Sequence, residues 1–150
     1  MKIKLKGFFR AVISKNGTPS TMNIDETLDF TPGYNQDGLI PCVATCVKGG
    51  EVLMVAYMNE EALRLSLQTG EAHYWSRSRK EIWHKGATSG NTQKIYSMQL
   101  DCDQDCLLIK VEMPKSKDEE ISACHTGRRS CFYREVKLSS DGEIYLIKSD

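Results

Sequence analysis

The clearest hydrophobic pattern begins near Leu39, where two β-rich runs at residues 42–47 and 51–57 flank Lys48-Gly49-Gly50. Short apolar runs joined by a glycine pair read as a β-hairpin. Asn59 then stands where a helix N-cap belongs, with Glu60 and Glu61 in the first turn, where carboxylates complement the helix dipole. Ala62, Leu63 and Leu67 supply an apolar face, and Gly70 supplies a stop. Strand-like segments return at residues 72–77, 94–100, 107–113, 131–137 and 143–148, and Ser139-Ser140-Asp141-Gly142 forms the turn before the last. One helix among about seven strands predicts an α+β fold. The expected architecture is a single domain, predominantly antiparallel β-sheet with one or two short helices. Residues 1 to about 35 read as a leading element, in which Lys2-Ile3-Lys4-Leu5-Lys6 alternates like a strand and Thr31-Pro32-Gly33-Tyr34-Asn35 marks a turn.

Composition narrows the function more than the fold. The chain has 150 residues, 40% hydrophobic and 27% charged, enough to bury a core without disulfide staples. Lys+Arg and Asp+Glu both number 20. A balanced charge argues against a protein built to grip nucleic acid, which usually carries a basic excess. The longest apolar run, starting at Val52, falls far short of the ~20 residues that span a bilayer. Residues 1–23 carry Lys2, Lys4, Lys6, Arg10 and Lys15 without an acid, a composition shared with transit peptides, but Arg10 breaks any secretory apolar core. The expected compartment is the cytoplasm, with no membrane association. The six cysteines, at 42, 46, 102, 106, 124 and 131, are then read as metal ligands, reactive thiols or core residues rather than as a disulfide framework. Cys42 and Cys46, in a strand-like segment, read as core.

Candidate chemistry collects in three places. In Asp101-Cys102-Asp103-Gln104-Asp105 the carboxylates alternate, so an extended backbone would put all three on one face and Cys102 on the other. Clustered carboxylates suit Mg²⁺ or Ca²⁺, whereas a thiolate suits Zn²⁺. A solvated acidic turn is the plainer alternative. A calcium loop of the EF-hand type is disfavoured, since Cys106 occupies the position that needs Gly. The second place is Cys124-His125-Thr126-Gly127-Arg128-Arg129-Ser130-Cys131, whose two cysteines can reach one metal from a loop. With Cys102 the clean thiol set is three, which leaves a zinc ion room for a water whose pKa falls to about 7. His125, beside Cys124, is a candidate general base. The third is Trp83-His84-Lys85-Gly86-Ala87-Thr88-Ser89-Gly90-Asn91, preceded by Ser76-Arg77-Ser78-Arg79. Its cations, hydroxyls and glycines suit phosphate oxygens, although a solvated hairpin turn would look the same.

Together these segments, with Gly38-Leu39-Ile40-Pro41, Gly50-Glu51-Val52-Leu53-Met54 and Ala56-Tyr57-Met58-Asn59-Glu60-Glu61-Ala62-Leu63, resemble the phosphoribosyl-AMP cyclohydrolases of histidine biosynthesis. The likeness runs through residues 28–137, which makes residues 1–27 an N-terminal extension and 28–150 the cyclohydrolase domain. It implies hydrolytic opening of the N1–C6 bond of N1-(5-phosphoribosyl)-AMP by zinc-activated water. It further implies magnesium at Asp101, Asp103 and Asp105, and zinc at Cys102, Cys124 and Cys131. The zinc ligands would be shared across a homodimer, Cys102 coming from one subunit and the other two from its partner. Candidates for moving protons are His125 and His73; candidates for holding the substrate are Arg77, Arg79, Lys85, Thr88 and Ser89. Two departures stand out: Ala87 where such enzymes commonly have Glu, and Thr45 where they commonly have Gln.

Overall fold

The expected hairpin forms the middle of a sheet. In the computed structural model, which describes residues 25, 27–114 and 122–149, β1 (Ile40–Cys46) pairs antiparallel with β2 (Val52–Met58). Gly50 closes the turn at φ +69°, a conformation that costs a Cβ-bearing residue energy. Helix α1 (Glu60–Thr69) follows, then β3 (His73–Ser76), β4 (Glu81–His84), β5 (Lys94–Leu100) and β6 (Leu107–Glu112). These strands make one six-stranded sheet in the order β4-β3-β2-β1-β6-β5. Every neighbouring pair is antiparallel except β1 and β6, which run parallel. The α+β reading and the antiparallel dominance hold.

The core lies on one face of this sheet. Ile40, Cys42 and Ala44 of β1 alternate inward beside Met54 and Met58 of β2 and Leu107, Ile109 and Val111 of β6, none more than 5% exposed. Each large side chain so buried is worth roughly 1.5–3 kcal/mol. Cys42 belongs to this core, as read from the sequence, and its burial pushes its thiol up to about 12. Tyr74 and Gln93 are also fully buried, and the Tyr74 hydroxyl donates to Gln93 Oε1 at 2.6 Å. The opposite face, carrying Pro41, Val43, Val55 and Tyr57, stays partly or largely open to solvent.

Helix α1 is capped as expected. Asn59 Oδ1 accepts from Ala62 N at 2.8 Å, and Gly70 ends the helix at φ +72°. Its inner face differs from expectation. Leu67 is 61% exposed, and Ser66 is the buried residue alongside Ala62 and Leu63. Ser66 fits there because its hydroxyl donates to Ala62 O and accepts from His73 N, so no polar group is stranded. β4 was not foreseen. Its four residues are too few to show a period, and it is defined by pairing with β3 (His73 with His84, Tyr74 with Trp83).

The final two strands, β7 (Arg134–Leu138) and β8 (Ile144–Lys148), pair only with each other, as a separate two-stranded sheet. The strand expected at 131–137 begins late because the preceding residues are held elsewhere. Cys131 N donates to Leu53 O at 2.8 Å, and the Ser130 hydroxyl donates to Val52 O at 2.7 Å. No helix among the described residues is long and apolar enough to cross a membrane. The N-terminal extension lies outside the described residues apart from Asp25 and Thr27.

Candidate active site

The aspartates converge, but not by strand alternation. β5 ends at Leu100 and β6 begins at Leu107, and the chain between them turns. Asp101 Oδ1 accepts from the backbone N–H of both Asp105 and Cys106 at 2.9 Å, and Gln104 adopts φ +60°. A short carboxylate capping its own turn in this way is a common loop device. The turn brings ligand atoms of Asp101, Asp103 and Asp105 within 4.8 Å of one another. Asp101 and the charge of Asp103 hold the Asp105 carboxyl above its ordinary pKa, as like charges crowded together do. Gln104, buried, latches the loop to the incoming chain through Thr31 N and Asp29 O, both at 2.9 Å.

The second centre forms around Cys124 and Cys131. Cys124 N donates to Arg128 O, and Gly127 N donates to Cys124 O, so the loop folds back on the first cysteine. The buried Cys124 Sγ lies 3.0 Å from the Thr126 hydroxyl. Burial alone would raise this thiol. Thr126, the Cys131 thiol and the Lys85 ammonium outweigh it and hold Cys124 below its ordinary pKa. Cys131 goes the other way, pushed up to about 11 by burial of its thiol and by Cys124. Such a pair shares one proton more readily than it loses two. Lys85 is itself buried, which lowers its pKa against the opposing pull of the two thiols, and its ammonium lies 5.5 Å from the centre of the Trp83 ring.

Lys85 and Cys124 border a cavity of about 1100 Å³, lined also by Arg79, Thr88, Ser89 and His125 among others. Five residues expected from separate stretches of sequence to touch substrate or move protons thus share one wall with a thiol. Ala87 lines it too. Thr45 does not; its hydroxyl donates to Ile109 O inside the sheet. Arg79 pairs with Glu81 at 2.8 Å, whereas Arg77 lies outside the cavity with its guanidinium 4.3 Å from the centre of the Tyr57 ring. His73 does not line the cavity either. It stacks on His84 at 4.4 Å, and His84 reaches the cavity while its Nε2 meets Glu71 Oε2 at 2.7 Å. His84 and Thr126 were not singled out from sequence. Neither follows a motif; each is recruited by a neighbour across a strand pair or a turn.

Cys102 stands apart. It is exposed and lines a different cavity of about 350 Å³, with Leu100, Asp101 and residues 27–30. Among the described residues the aspartates are the one trio of metal-ligating groups brought together. Cys102, Cys124 and Cys131 do not meet within one chain.

Comparison with known proteins finds relatives over most of the chain. A family model described as phosphoribosyl-AMP cyclohydrolase matches residues 54–133. A protein of that name from Nitrobacter winogradskyi is 53% identical over 135 residues, covering 90% of this chain and 89% of the relative. Another, from Nitrobacter hamburgensis, is 50% identical over 131 residues, covering 87% and 85%. A third, from Brucella canis, is 53% identical over 123 residues, covering 82% and 85%.

Proposed function

The chain belongs to the phosphoribosyl-AMP cyclohydrolase family, and on that premise we propose that it opens the adenine ring of N1-(5-phosphoribosyl)-AMP by hydrolysis of the N1–C6 bond, a step of histidine biosynthesis. The observation that carries this reading is the cavity that joins cationic and hydroxyl groups suited to phosphate with the Cys124 thiol and a histidine. Its volume of about 1100 Å³ lies near the upper end of the range for small-molecule sites.

The donor sets fit two different ions. Three carboxylates with oxygens within 4.8 Å suit a hard dication, here assigned as Mg²⁺. Cys124 and Cys131, one thiol lowered and the two adjacent, suit Zn²⁺ with Cys102 as third ligand. When bound with one position open, zinc supplies an activated water at neutral pH. Because Cys102 lines a separate cavity from Cys124, we assign the third thiol to a second copy of the chain, which makes the enzyme a homodimer. We place the enzyme in the cytoplasm, where thiols remain reduced and free to bind metal.

The chain's own groups divide the remaining work. Lys85, Thr88 and Ser89 hold phosphate oxygens, with Arg79 joining them by leaving Glu81; Arg77, on its tyrosine, contributes only from outside the cavity wall. Lys85 also places a positive charge beside the thiols, which favours their ionised form. His125 carries the proton that N1 must gain as its bond to C6 breaks. His73 acts at one remove, fixing His84 by stacking. A single assay tests the reading: absorbance of phosphoribosyl-AMP is followed before chelation, after chelation and after zinc is restored. Ring opening lost and regained supports it. Turnover unaffected by complete zinc removal overturns the zinc assignment, and ammonia release in place of ring opening overturns the reaction.

A further inference from the structure

Two imidazoles reach the wall of the cavity of about 1100 Å³, His125 and His84. Among the described residues only His84 has a carboxylate partner, its Nε2 lying 2.7 Å from Glu71 Oε2. An ionised carboxylate can only accept, so Nε2 carries the hydrogen, and Nδ1 of the neutral ring keeps a free lone pair. His73 lies flat against His84, with 4.4 Å between ring centres and 7° between planes. Its own Nδ1–H donates to the Glu71 carbonyl at 2.9 Å, because a carbonyl can only accept.

The backbone beneath these three side chains is fixed from several sides. His73 and His84 are opposed across β3 and β4. Lys85 N donates to Ala72 O at 3.0 Å, and His73 N donates to the Ser66 hydroxyl at 2.9 Å. Glu71 forms a bridge with Lys94. The His84 and Glu71 side chains are 34% and 39% exposed, and ion pairs so open to water contribute little to stability. What the contacts do fix is the plane of one ring and its tautomer. A carboxylate holding one imidazole nitrogen while the other faces no partner is the arrangement of an oriented general base.

We propose that His84 is a second proton carrier in the ring opening, with Glu71 as its positioning residue. The inference rests on the cyclohydrolase reading and deepens it. Opening the ring consumes one water, whose oxygen becomes a carbonyl on C6 and whose two protons end on the exocyclic nitrogen and on N1. As the oxygen bonds to C6, an O–H bond breaks and its proton passes to His84 Nδ1. The C6=N electron pair moves onto the exocyclic nitrogen, which then takes that proton and leaves His84 as it began. When the N1–C6 bond breaks, its electron pair stays on N1, which takes a proton from His125. The remaining hydroxyl proton replenishes His125 as the carbonyl forms. Two transfers thus have two carriers on one cavity wall.

The test measures kcat and KM on phosphoribosyl-AMP, zinc content and circular dichroism for the full-length wild type, His84→Gln and His84→Ala. Gln can still donate to Glu71 but cannot carry the proton. His84→Gln is expected to lose about a hundredfold or more in kcat, with KM changed less than about threefold and zinc content unchanged. Added imidazoles should restore turnover to His84→Ala, the more basic ones more strongly. A folded, zinc-replete His84→Gln that turns over like the wild type overturns the assignment, and so does a loss that no imidazole repairs. Glu71→Ala should lower kcat by a smaller factor, and an unchanged kcat overturns its positioning role. A wild type that does not open the ring overturns the cyclohydrolase reading itself. Nitrogen-15 NMR of the wild type decides the matter should the variants fail to fold. Neutral His84 protonated at Nε2 supports the proposal, and neutral His84 protonated at Nδ1 overturns it.

Discussion

Gly86 follows the buried Lys85 and sits at φ +83°. An ideal Cβ built on it would fall inside the backbone of Asn91 and Thr92, with the Asn91 carbonyl oxygen at 2.5 Å. Gly90, four residues on, has nearly the same φ, +78°, but open space around its Cβ position. The two glycines therefore separate conformational strain from steric clash. Placing Ala in a left-handed conformation costs ~1–2 kcal/mol, the whole expected effect of Gly90→Ala. Gly86→Ala adds an overpacking cost of ~1–3 kcal/mol, and the colliding atoms are backbone, which cannot rotate away. The total for Gly86→Ala is thus ~2–5 kcal/mol. Urea unfolding monitored by tryptophan fluorescence measures both variants. Relief of the clash also displaces Lys85, so kcat/KM on phosphoribosyl-AMP should fall further for Gly86→Ala than for Gly90→Ala. Equal stability losses would refute the reasoning, because the clash would then cost nothing.

Three other outcomes follow from the same structure. Tyr74→Phe removes the donor to the fully buried Gln93 Oε1 and should cost ~1–3 kcal/mol in unfolding free energy; a change under a few tenths would show that the pair contributes nothing. In metal-free native protein a thiol reagent should modify exposed Cys102 readily and leave Cys42, buried and pushed up to about 12, untouched until unfolding; rapid native labelling of Cys42 would contradict its place in the core. Tyr96 and Lys48 lower the pKa of Glu112 below its ordinary 4.5. The folded state therefore binds this proton less readily than the unfolded one, so the contribution is present above that ordinary value and is lost as pH falls through the depressed one. Glu112→Gln should flatten the acid limb of thermal stability over that interval, and an unchanged limb would count against the contact.

Local rules made the first hairpin and the helix ends legible, since Asn59 and Gly70 perform in the structure the jobs their chemistry suits. Where tertiary context decides, the sequence was silent or misleading. Alternation put the three aspartates on one strand face, yet Asp101 caps a turn and gathers them there. Leu67 matched the helical period, but the small, doubly bonded Ser66 won the inner face. β4 exists through its partner β3, and the parallel pairing of β1 with β6 leaves no periodic trace. The candidate site was legible as residue types, and the cavity shows which of them share a wall: Lys85, Thr88, Ser89 and His125 beside Cys124, with Arg77 and His73 set back.

The central claim is an active site completed across two subunits, and subunit mixing tests it most directly. Cys102→Ala and Cys124→Ala should each be inactive alone. When they are mixed, a mixed dimer pairs an intact Cys102 from one chain with an intact Cys124 and Cys131 from the other at one of its two sites. Random exchange should therefore restore about a quarter of wild-type turnover, with zinc bound in proportion. Mixtures that exchange subunits yet stay inactive, or a Cys102→Ala variant that turns over and holds zinc at the wild-type level, would contradict the account.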